Sequence, residues 1–250
     1  MPLSPFVVAH RGASIAYPEN TLIGFQAAIE LGVDCIELDV VTTSNGAVIV
    51  SHDTTADRCT SGTGNFKEMT FEQVQALDAG VKFGQQFTGE RIPRLEEVLG
   101  LVEHTSVQLC IEIKGDSVEG FLSNARAAVT LLQRADALRY CSIASFDPNC
   151  LQAIRTWEPL LAVNLDPEPQ DGSLTPWELV QQCLRCGANF MGHTYRTLTP
   201  AIVHEAHSHG MGLWVWTVND AATMRDMLKM GVDAILSDDP ALLKTVLAER

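Results

Sequence analysis

The chain has 250 residues, 46% of them hydrophobic and 19% charged, with a mean hydropathy of +0.08. That length allows one large domain or two small ones, and the composition excludes a disordered chain. Seventeen Lys and Arg against thirty-one Asp and Glu leave a net charge of −14, which speaks against a nucleic-acid partner and against docking on an anionic membrane.

Short β-branched runs alternate with amphipathic stretches from end to end. Strands are predicted over 6–10, 34–40, 47–52, 107–114, 140–145, 160–165, 188–193, 212–218 and 233–238. Helical patterns fill 21–31, 94–103, 117–135, 147–157, 175–186, 199–209, 220–229 and 239–248. Several open on a capping residue or a first-turn proline: Ser117, Asp147-Pro148, Thr175-Pro176, Thr199-Pro200, Asn219-Asp220 and Asp239-Pro240. Strand–helix alternation points to a parallel sheet. Nine strands are one too many for an eight-stranded barrel. Asn45-Gly46 reads as a two-residue type I′ hairpin turn. It would pair Ser44 with Ala47 and, counting outward, Asp39 with His52, so that 47–52 runs back antiparallel. Eight strands and eight helices remain, which predicts an α/β fold, a (β/α)8 TIM barrel, with 233–238 closing beside 6–10. Such a barrel takes about 250 residues, so 1–250 is read as one domain. Residues 54–92 break the alternation and are read as a small insertion after the hairpin, with one helical pattern at 70–77.

The longest stretch without Asp, Glu, Lys or Arg runs from 206 to 219, 14 residues, short of the roughly 20 a spanning helix needs. No membrane anchor is therefore expected. The N-terminal MPLSPFVVAHRG lacks a basic region and reads as a first strand, not a signal peptide. Cysteines number seven, and Cys35, Cys110 and Cys141 sit in apolar surroundings. Free thiols in a reducing compartment, and so a cytoplasmic protein, are the expectation. Cys183 and Cys186 form one isolated CxxC on a helix, read as packing.

In barrels of this kind the active site lies at the C-terminal ends of the strands. The first strand ends in His10-Arg11, and the second carries Glu37 and Asp39, two apart and on one face. Glu112 and Lys114 share a face at the end of 107–114. Glu37 and Glu112 lie inside apolar runs, where a lone carboxylate faces heavy desolvation. Three carboxylates on neighbouring strands repel one another unless a cation holds them. Oxygen-only ligands suit Mg²⁺ or Ca²⁺, so one divalent ion is expected on Glu37, Asp39 and Glu112. His10 and His52 can move protons near neutral pH. Arg11 offers a planar fork for phosphate and Lys114 a point charge. A cation, Arg and Lys together suit phosphoryl chemistry, where charge develops on non-bridging oxygens.

VVAHRGAS, YPENTLIGFQAAIELGVDCIELDVVTTSNGAVIVSHD, CIEIK, Ser145-Phe146, VWTVN at 215–219 and GVDAILSDDP at 231–240 occur in this order. Together they resemble the glycerophosphodiester phosphodiesterase family, and the 58–93 stretch resembles its insertion. The resemblance implies a TIM barrel and metal-dependent hydrolysis of small glycerophosphodiesters to glycerol 3-phosphate and an alcohol. By position it implies Glu37, Asp39 and Glu112 as metal ligands, His10 and His52 as the acid/base pair, and Arg11 and Lys114 as phosphate binders. It also implies attack by the neighbouring glycerol hydroxyl, through a cyclic phosphate, in keeping with the absence of a GxSxG motif. The family's Thr-x-Asp-Gly turn is Thr43-Ser44-Asn45-Gly46 here, and Ser237-Asp238 stands where Thr-Asp is common; neither touches these seven residues. Further substrate contacts are expected from Glu19, with Asn20 capping the helix from Thr21, from Trp216 packing on the glycerol moiety, and from Phe146 walling the pocket. Asn219 reads as a helix cap, His193 and Tyr195 as solvated loop residues, and His204, His207 and His209 as a solvated face. A lysophospholipase D-type activity is the alternative, if Phe66, Phe71, Phe83 and Phe87 of the insertion form a groove for an acyl chain.

Overall fold

The computed structural model describes residues 4–249. Eight parallel strands close a barrel: β1 (Phe6–His10), β2 (Cys35–Thr42), β4 (Gln108–Ile113), β5 (Cys141–Ser145), β6 (Ala162–Leu165), β7 (Phe190–Thr194), β8 (Gly212–Trp216) and β9 (Ala234–Ser237). Closure comes from β1 pairing with both β2 and β9, as in Val8 with Cys35 and with Leu236. The ninth strand, β3 (Val48–Val50), runs antiparallel on the end of β2. Helices α1 (Leu22–Glu30), α3 (Leu95–Val102), α4 (Val118–Arg134), α5 (Pro148–Trp157), α6 (Pro176–Cys186), α7 (Pro200–Ser208), α8 (Ala221–Met230) and α9 (Pro240–Ala248) wrap the barrel. The short α2 (Phe71–Gln75) belongs to the insertion. The fold is the TIM barrel that the alternation predicts.

Period-2 alternation decides which side chains reach the barrel axis. One set, including Ile36, Leu38, Ile111, Ile143 and Val163, packs outward against the helices in the main core. The other set fills the barrel with Val8, Cys35, Cys110, Ala144, Trp214, Ala234 and Leu236. Two residues further along the same inner register lie His10, Glu37, Glu112, Phe146 and Trp216. The apolar plug is thus the floor on which the polar residues at the strand ends stand. Helix starts follow the expected caps: Ser117, Asp147, Thr175, Thr199, Asp220 and Asp239 each accept from a first-turn amide. At α1 the cap is Thr21, which accepts from Gly24, and not Asn20. At α8 it is Asp220, and Asn219 is turned elsewhere.

The hairpin differs from expectation by one residue. Val40 pairs with Val50 and Thr42 with Val48, so Asp39 faces Ser51, whose amide donates to the Asp39 carbonyl, and not His52. The turn has three residues between Thr43 and Ala47. Gly46 N donates to the Thr43 carbonyl at 3.0 Å, and Gly46 alone takes a positive φ, +82°, the pattern of a type I turn closed by a left-handed residue. Asn45 favours it because its Oδ1 accepts from Thr43 Oγ1 at 2.8 Å and from the Phe71 amide at 3.1 Å.

The 54–92 segment packs a small core of its own, Ala56, Phe66, Val74, Ala79 and Ile92, against Val41 and Ile49 of the hairpin. Phe66 is buried there and Phe71 packs against this core beneath the Arg94 guanidinium. Only Phe83 and Phe87 remain for a surface, stacked edge-on with Tyr17, so the four rings do not make an acyl groove. All seven cysteines are free, with Cys183 and Cys186 buried in α6. No helix among the described residues is long and apolar enough to cross a membrane. His193 is buried on β7, its Nδ1 against the Thr194 carbonyl, and is not a solvated loop residue.

Gly46 tests the turn. A Cβ there meets nothing within 4 Å, so Gly46→Ala isolates the backbone strain and should destabilise by about 1–2 kcal/mol. A fall in the urea midpoint at unchanged slope is the expected readout, and an unchanged midpoint would contradict the turn described.

Candidate active site

The polar residues at the C-terminal ends of β1, β2 and β4 stand around one cavity of about 170 Å³. His10, Arg11, Glu37, His52, Glu112, Lys114, Phe146 and Trp216 line it. Asp39 lies directly behind, fully buried. Glu19 is outside the lining, held against Arg11. Of the ten residues the sequence singles out, eight therefore share the cavity and two support its wall.

Glu37, Asp39 and Glu112 each offer an oxygen within 4.8 Å of the other two. Arg11 Nε lies 3.3 Å from Asp39 Oδ2, and Lys114 Nζ lies 3.2 Å from Asp39 Oδ1 and 2.5 Å from Glu112 Oε1. Asn20 Nδ2 donates to Asp39 Oδ2 at 2.9 Å. Even so, Glu37 Oε1 is buried without a hydrogen-bond donor, and Asp39 Oδ1 has only the Lys114 ammonium, shared with Glu112. An orphaned buried carboxylate oxygen is expensive, and one facing two further carboxylates fits a divalent cation. Titration behaviour agrees. Burial, followed by repulsion from Asp39 and Glu112, pushes Glu37 well above the usual carboxylate range. Burial also raises Glu112, despite Lys114. Burial works the same way on Asp39, but Lys114 and Arg11 outweigh it and hold Asp39 below its ordinary value. Protein cations alone thus hold one carboxylate firmly ionised and leave two in need of positive charge.

Each histidine is aimed by its own carboxylate. His10 Nδ1 is 2.6 Å from Asp238 Oδ1, which also accepts from Ser14 Oγ. Asp238 is fixed in turn by Asn219 Nδ2 on its other oxygen. His52 Nδ1 is 2.8 Å from Asp53 Oδ1. With Nδ1–H donated to a carboxylate, Nε2 carries the lone pair, and His10 Nε2 stands 4.0 Å from Glu37 Oε2. Burial lowers the His52 pKa, and Lys114 and Arg11 add to this against the opposite pull of Asp39 and Asp53.

Arg58, from the insertion, joins these parts. Its Nε donates to Asp53 Oδ2 at 2.6 Å, and its two terminal nitrogens grip both oxygens of Glu19 at 2.7 and 2.8 Å. Glu19 Oε1 accepts from Arg11 as well, at 3.0 Å. His52, Asp53, Arg58, Glu19 and Arg11 thus form one continuous chain of polar contacts. Arg11 itself sits at φ +57°, a left-handed conformation that only its surroundings can hold. Its amide donates to the backbone carbonyl of Glu37 and to Glu37 Oε2. The following Gly12, at φ +87°, leaves no room for a Cβ against the backbone of Gly24.

The sequence reading missed Asp53, Arg58, Asn20, Asp238, Asn164 and Asp166. Asp53 and Asp238 were visible as acids next to assigned motif residues. Asp166, buried and lining the cavity, follows Asn164 in the inner register of β6, a polar pair at the end of an apolar run. Phe146 and Trp216 meet edge to face, with ring centroids 5.9 Å apart.

Residues 10–242 match the model of the Glycerophosphoryl diester phosphodiesterase family. A glycerophosphodiester phosphodiesterase from Caldanaerobacter subterraneus subsp. tengcongensis is 37% identical over 241 residues, covering 96% of this chain and 97% of that protein. Among solved structures, an Oleispira antarctica phosphodiesterase in complex with the product sn-glycerol-3-phosphate superposes with a TM-score of 0.87 at 25% identity, over 98% of this chain and 97% of that one. A glycerophosphodiester phosphodiesterase from Agrobacterium tumefaciens C58 gives 0.83 at 27% identity, over 97% and 100%.

The carboxylate cluster should bind one equivalent of Mg²⁺ or Ca²⁺. At a hundredfold excess over Kd the ion should stabilise the fold by about 2.7 kcal/mol. Asp39→Asn should remove most of that gain in a thermal-unfolding titration. An Asp39→Asn protein stabilised as much as the original would show the cluster is not the ion site.

Proposed function

Because the chain belongs to the glycerophosphoryl diester phosphodiesterase family, we propose that it hydrolyses glycerophosphodiesters to glycerol 3-phosphate and an alcohol, as one barrel domain over 1–250 with residues 54–92 inserted. The observation that carries this reading is the convergence, on one cavity, of three carboxylate oxygens, two cationic side chains and two carboxylate-aimed imidazoles. Glu37, Asp39 and Glu112 would hold one Mg²⁺ or Ca²⁺, which when bound supplies positive charge for the phosphoryl oxygens. Arg11 and Lys114 face the same oxygens from the protein side. Between them, the five side chains carry one net negative charge, which a divalent ion turns into one net positive charge.

His10 and His52 exchange the protons. One Nε2 takes the proton of the attacking hydroxyl, and the other gives a proton to the departing alkoxide, so that the alcohol leaves neutral. Attack by the adjacent glycerol hydroxyl yields a cyclic phosphate, which water then opens to glycerol 3-phosphate with the two roles exchanged. A protein nucleophile is not required. Cys110, the thiol in the cavity lining, is held protonated because burial, then the neighbouring Cys35 and Glu37, push its pKa well up. Glu19 acts through Arg11, and Phe146 and Trp216 wall the non-phosphate side. The activity for which the Caldanaerobacter relative is named and the product bound in the Oleispira structure support this reaction.

Glycerophosphocholine or a close relative should release glycerol 3-phosphate in the presence of Mg²⁺ or Ca²⁺, and a chelator should stop it. His10→Ala and His52→Ala should each lower kcat by about 10²–10⁴ while leaving divalent-ion affinity nearly intact; full activity in either would remove that histidine from the chemistry.

Asp53→Asn separates the two proton roles. Asp53 raises the His52 pKa, so its neutral replacement should lower that pKa further. If His52 is the acceptor, the acid limb of the kcat/KM profile moves to lower pH; if it is the donor, the alkaline limb does. A profile displaced on neither side would exclude His52 from both roles.

A further inference from the structure

The side of the cavity away from Arg11 and Lys114 holds a second built feature. Asn164 and Asp166 occupy successive inner positions on β6 and just beyond it, both buried, at 4% and 5% exposure, and both line the cavity. The Asn164 amide oxygen has no hydrogen-bond donor. Asp166 Oδ1 accepts from Trp216 Nε1. Among the described residues that indole is its one side-chain donor, and no Lys, Arg or His lies within ion-pair distance. The neighbouring strand is shaped for this carboxylate: a Cβ at Gly192 would overlap it, so β7 carries glycine where Asp166 needs the space. Burial, then the charge of Glu112, pushes the Asp166 pKa up to about 7 against the indole and Lys114. A carboxyl group placed with this care, yet left without a counter-charge, is unexplained by the fold.

Resting on the reaction proposed above, we infer that Asp166, with the Asn164 amide beside it, recognises the glycerol moiety of the substrate by accepting hydrogen bonds from its free hydroxyl. The Asp166 carboxylate disfavours the phosphoryl group, since it repels phosphoryl oxygens and, when ionised, offers them no donor. It fits the neutral, donor-rich end of the diester. Glycerol is the half common to every glycerophosphodiester, while the alcohol varies. A fixed, buried pair above a floor that includes Cys110 and Trp214 suits the constant half. Carboxylates read sugar and polyol hydroxyls in this way, and a site built around a hydroxyl rejects the analogue that lacks it far more strongly than an apolar pocket rejects a methylene. Trp216 is then a positioning residue as well as a wall: its indole fixes Asp166 while its ring meets Phe146.

The test compares three diesters on the metal-loaded enzyme and on Asp166→Asn. They are glycerophosphoethanolamine, its analogue with the terminal glycerol hydroxyl replaced by hydrogen, and a glycerophosphopropanol whose leaving alcohol carries no ammonium group. Asp166→Asn should lower kcat/KM about 10- to 100-fold for both glycerol substrates and leave the deoxy analogue nearly unchanged, so that selectivity for the hydroxyl collapses. Asn164→Leu should lose selectivity in the same direction. Calorimetry should show Asp166→Asn weakening glycerol 3-phosphate binding but not inorganic phosphate binding. Equal losses on all three substrates would mean that Asp166 only holds Trp216 in place, and the inference falls. A loss confined to the ethanolamine ester would assign the pair to a cationic leaving group, and it falls again. Unaltered kinetics in both variants would also overturn it. Failure of the unsubstituted enzyme on every diester would instead overturn the reaction itself.

Discussion

Three carboxylates crowded at the mouth of a barrel are the constraint from which the rest of this site follows. Like charges a few ångströms apart in a buried setting cannot all remain ionised unaided. Every neighbour of Glu37, Asp39 and Glu112 is an answer to that problem: Lys114 between Asp39 and Glu112, Arg11 against Asp39, the Asn20 amide on its second oxygen, and a place for a divalent ion. The backbone is bent to the same end. Arg11 and Asn20 both hold left-handed φ values near +57°, which turns the Arg11 amide to Glu37 and the Asn20 side chain to Asp39. Gly12 lets the start of α1 approach closely enough for this.

The same economy governs the histidines. Each ring is oriented through Nδ1 by an acid at the barrel mouth, which leaves Nε2 free for the cavity. For His10 that acid is Asp238, 228 residues away in sequence, brought alongside because β9 pairs with β1 to close the barrel. For His52 it is the adjacent Asp53, which has no strand to hold it and is held by Arg58 from the insertion. The insertion is therefore part of the site's rigidity. Its small core seats Arg58, and Arg58 ties Asp53 to Glu19 and, through Glu19, to Arg11. A charge-assisted network of this length transmits the position of one member to the others.

Barrel, strand count and most helix starts were legible because period-2 runs and capping residues are local signals. The carboxylate cluster was legible for a related reason: Glu37 and Glu112 interrupt apolar strands, and only a shared counter-charge makes that tolerable. The hairpin register was not, since two-residue and three-residue turns both accept Asn-Gly. What selects between them is the Phe71 amide on Asn45 Oδ1, a contact across 26 residues. Asp238 escaped notice because its partner His10 lies 228 residues away, and Arg58 because no periodicity marks it within the insertion, although Asp53 is only five residues from it. Asp166 is the instructive case. Its parity with Asn164 was readable, but the predicted strand stops at Leu165, one residue short of it. Burial and the glycine opposite, neither visible in sequence, are what distinguish it.

The net charge of −14 speaks against anionic macromolecules and membranes, and the arrangement of the site shows why the same objection does not extend to a small anionic substrate. At physiological ionic strength surface charges are screened over about 8 Å, so acids scattered over the barrel contribute little to the field inside a narrow cavity. What acts there is local. Glu37, Asp39 and Glu112 point their charge at one shared position, where a divalent ion would sit. Glu19, Asp53 and Asp238 are each engaged by an arginine or a histidine. The one acid in the cavity without such a partner is Asp166, on the side away from Arg11 and Lys114. With a divalent ion on the three carboxylates, the field across the cavity would therefore be graded, positive beside Arg11 and Lys114 and negative beside Asp166. In the reaction proposed, a diester with an anionic end and a polyol end would have one favourable orientation in such a field, the one that sets its phosphorus before the two imidazoles.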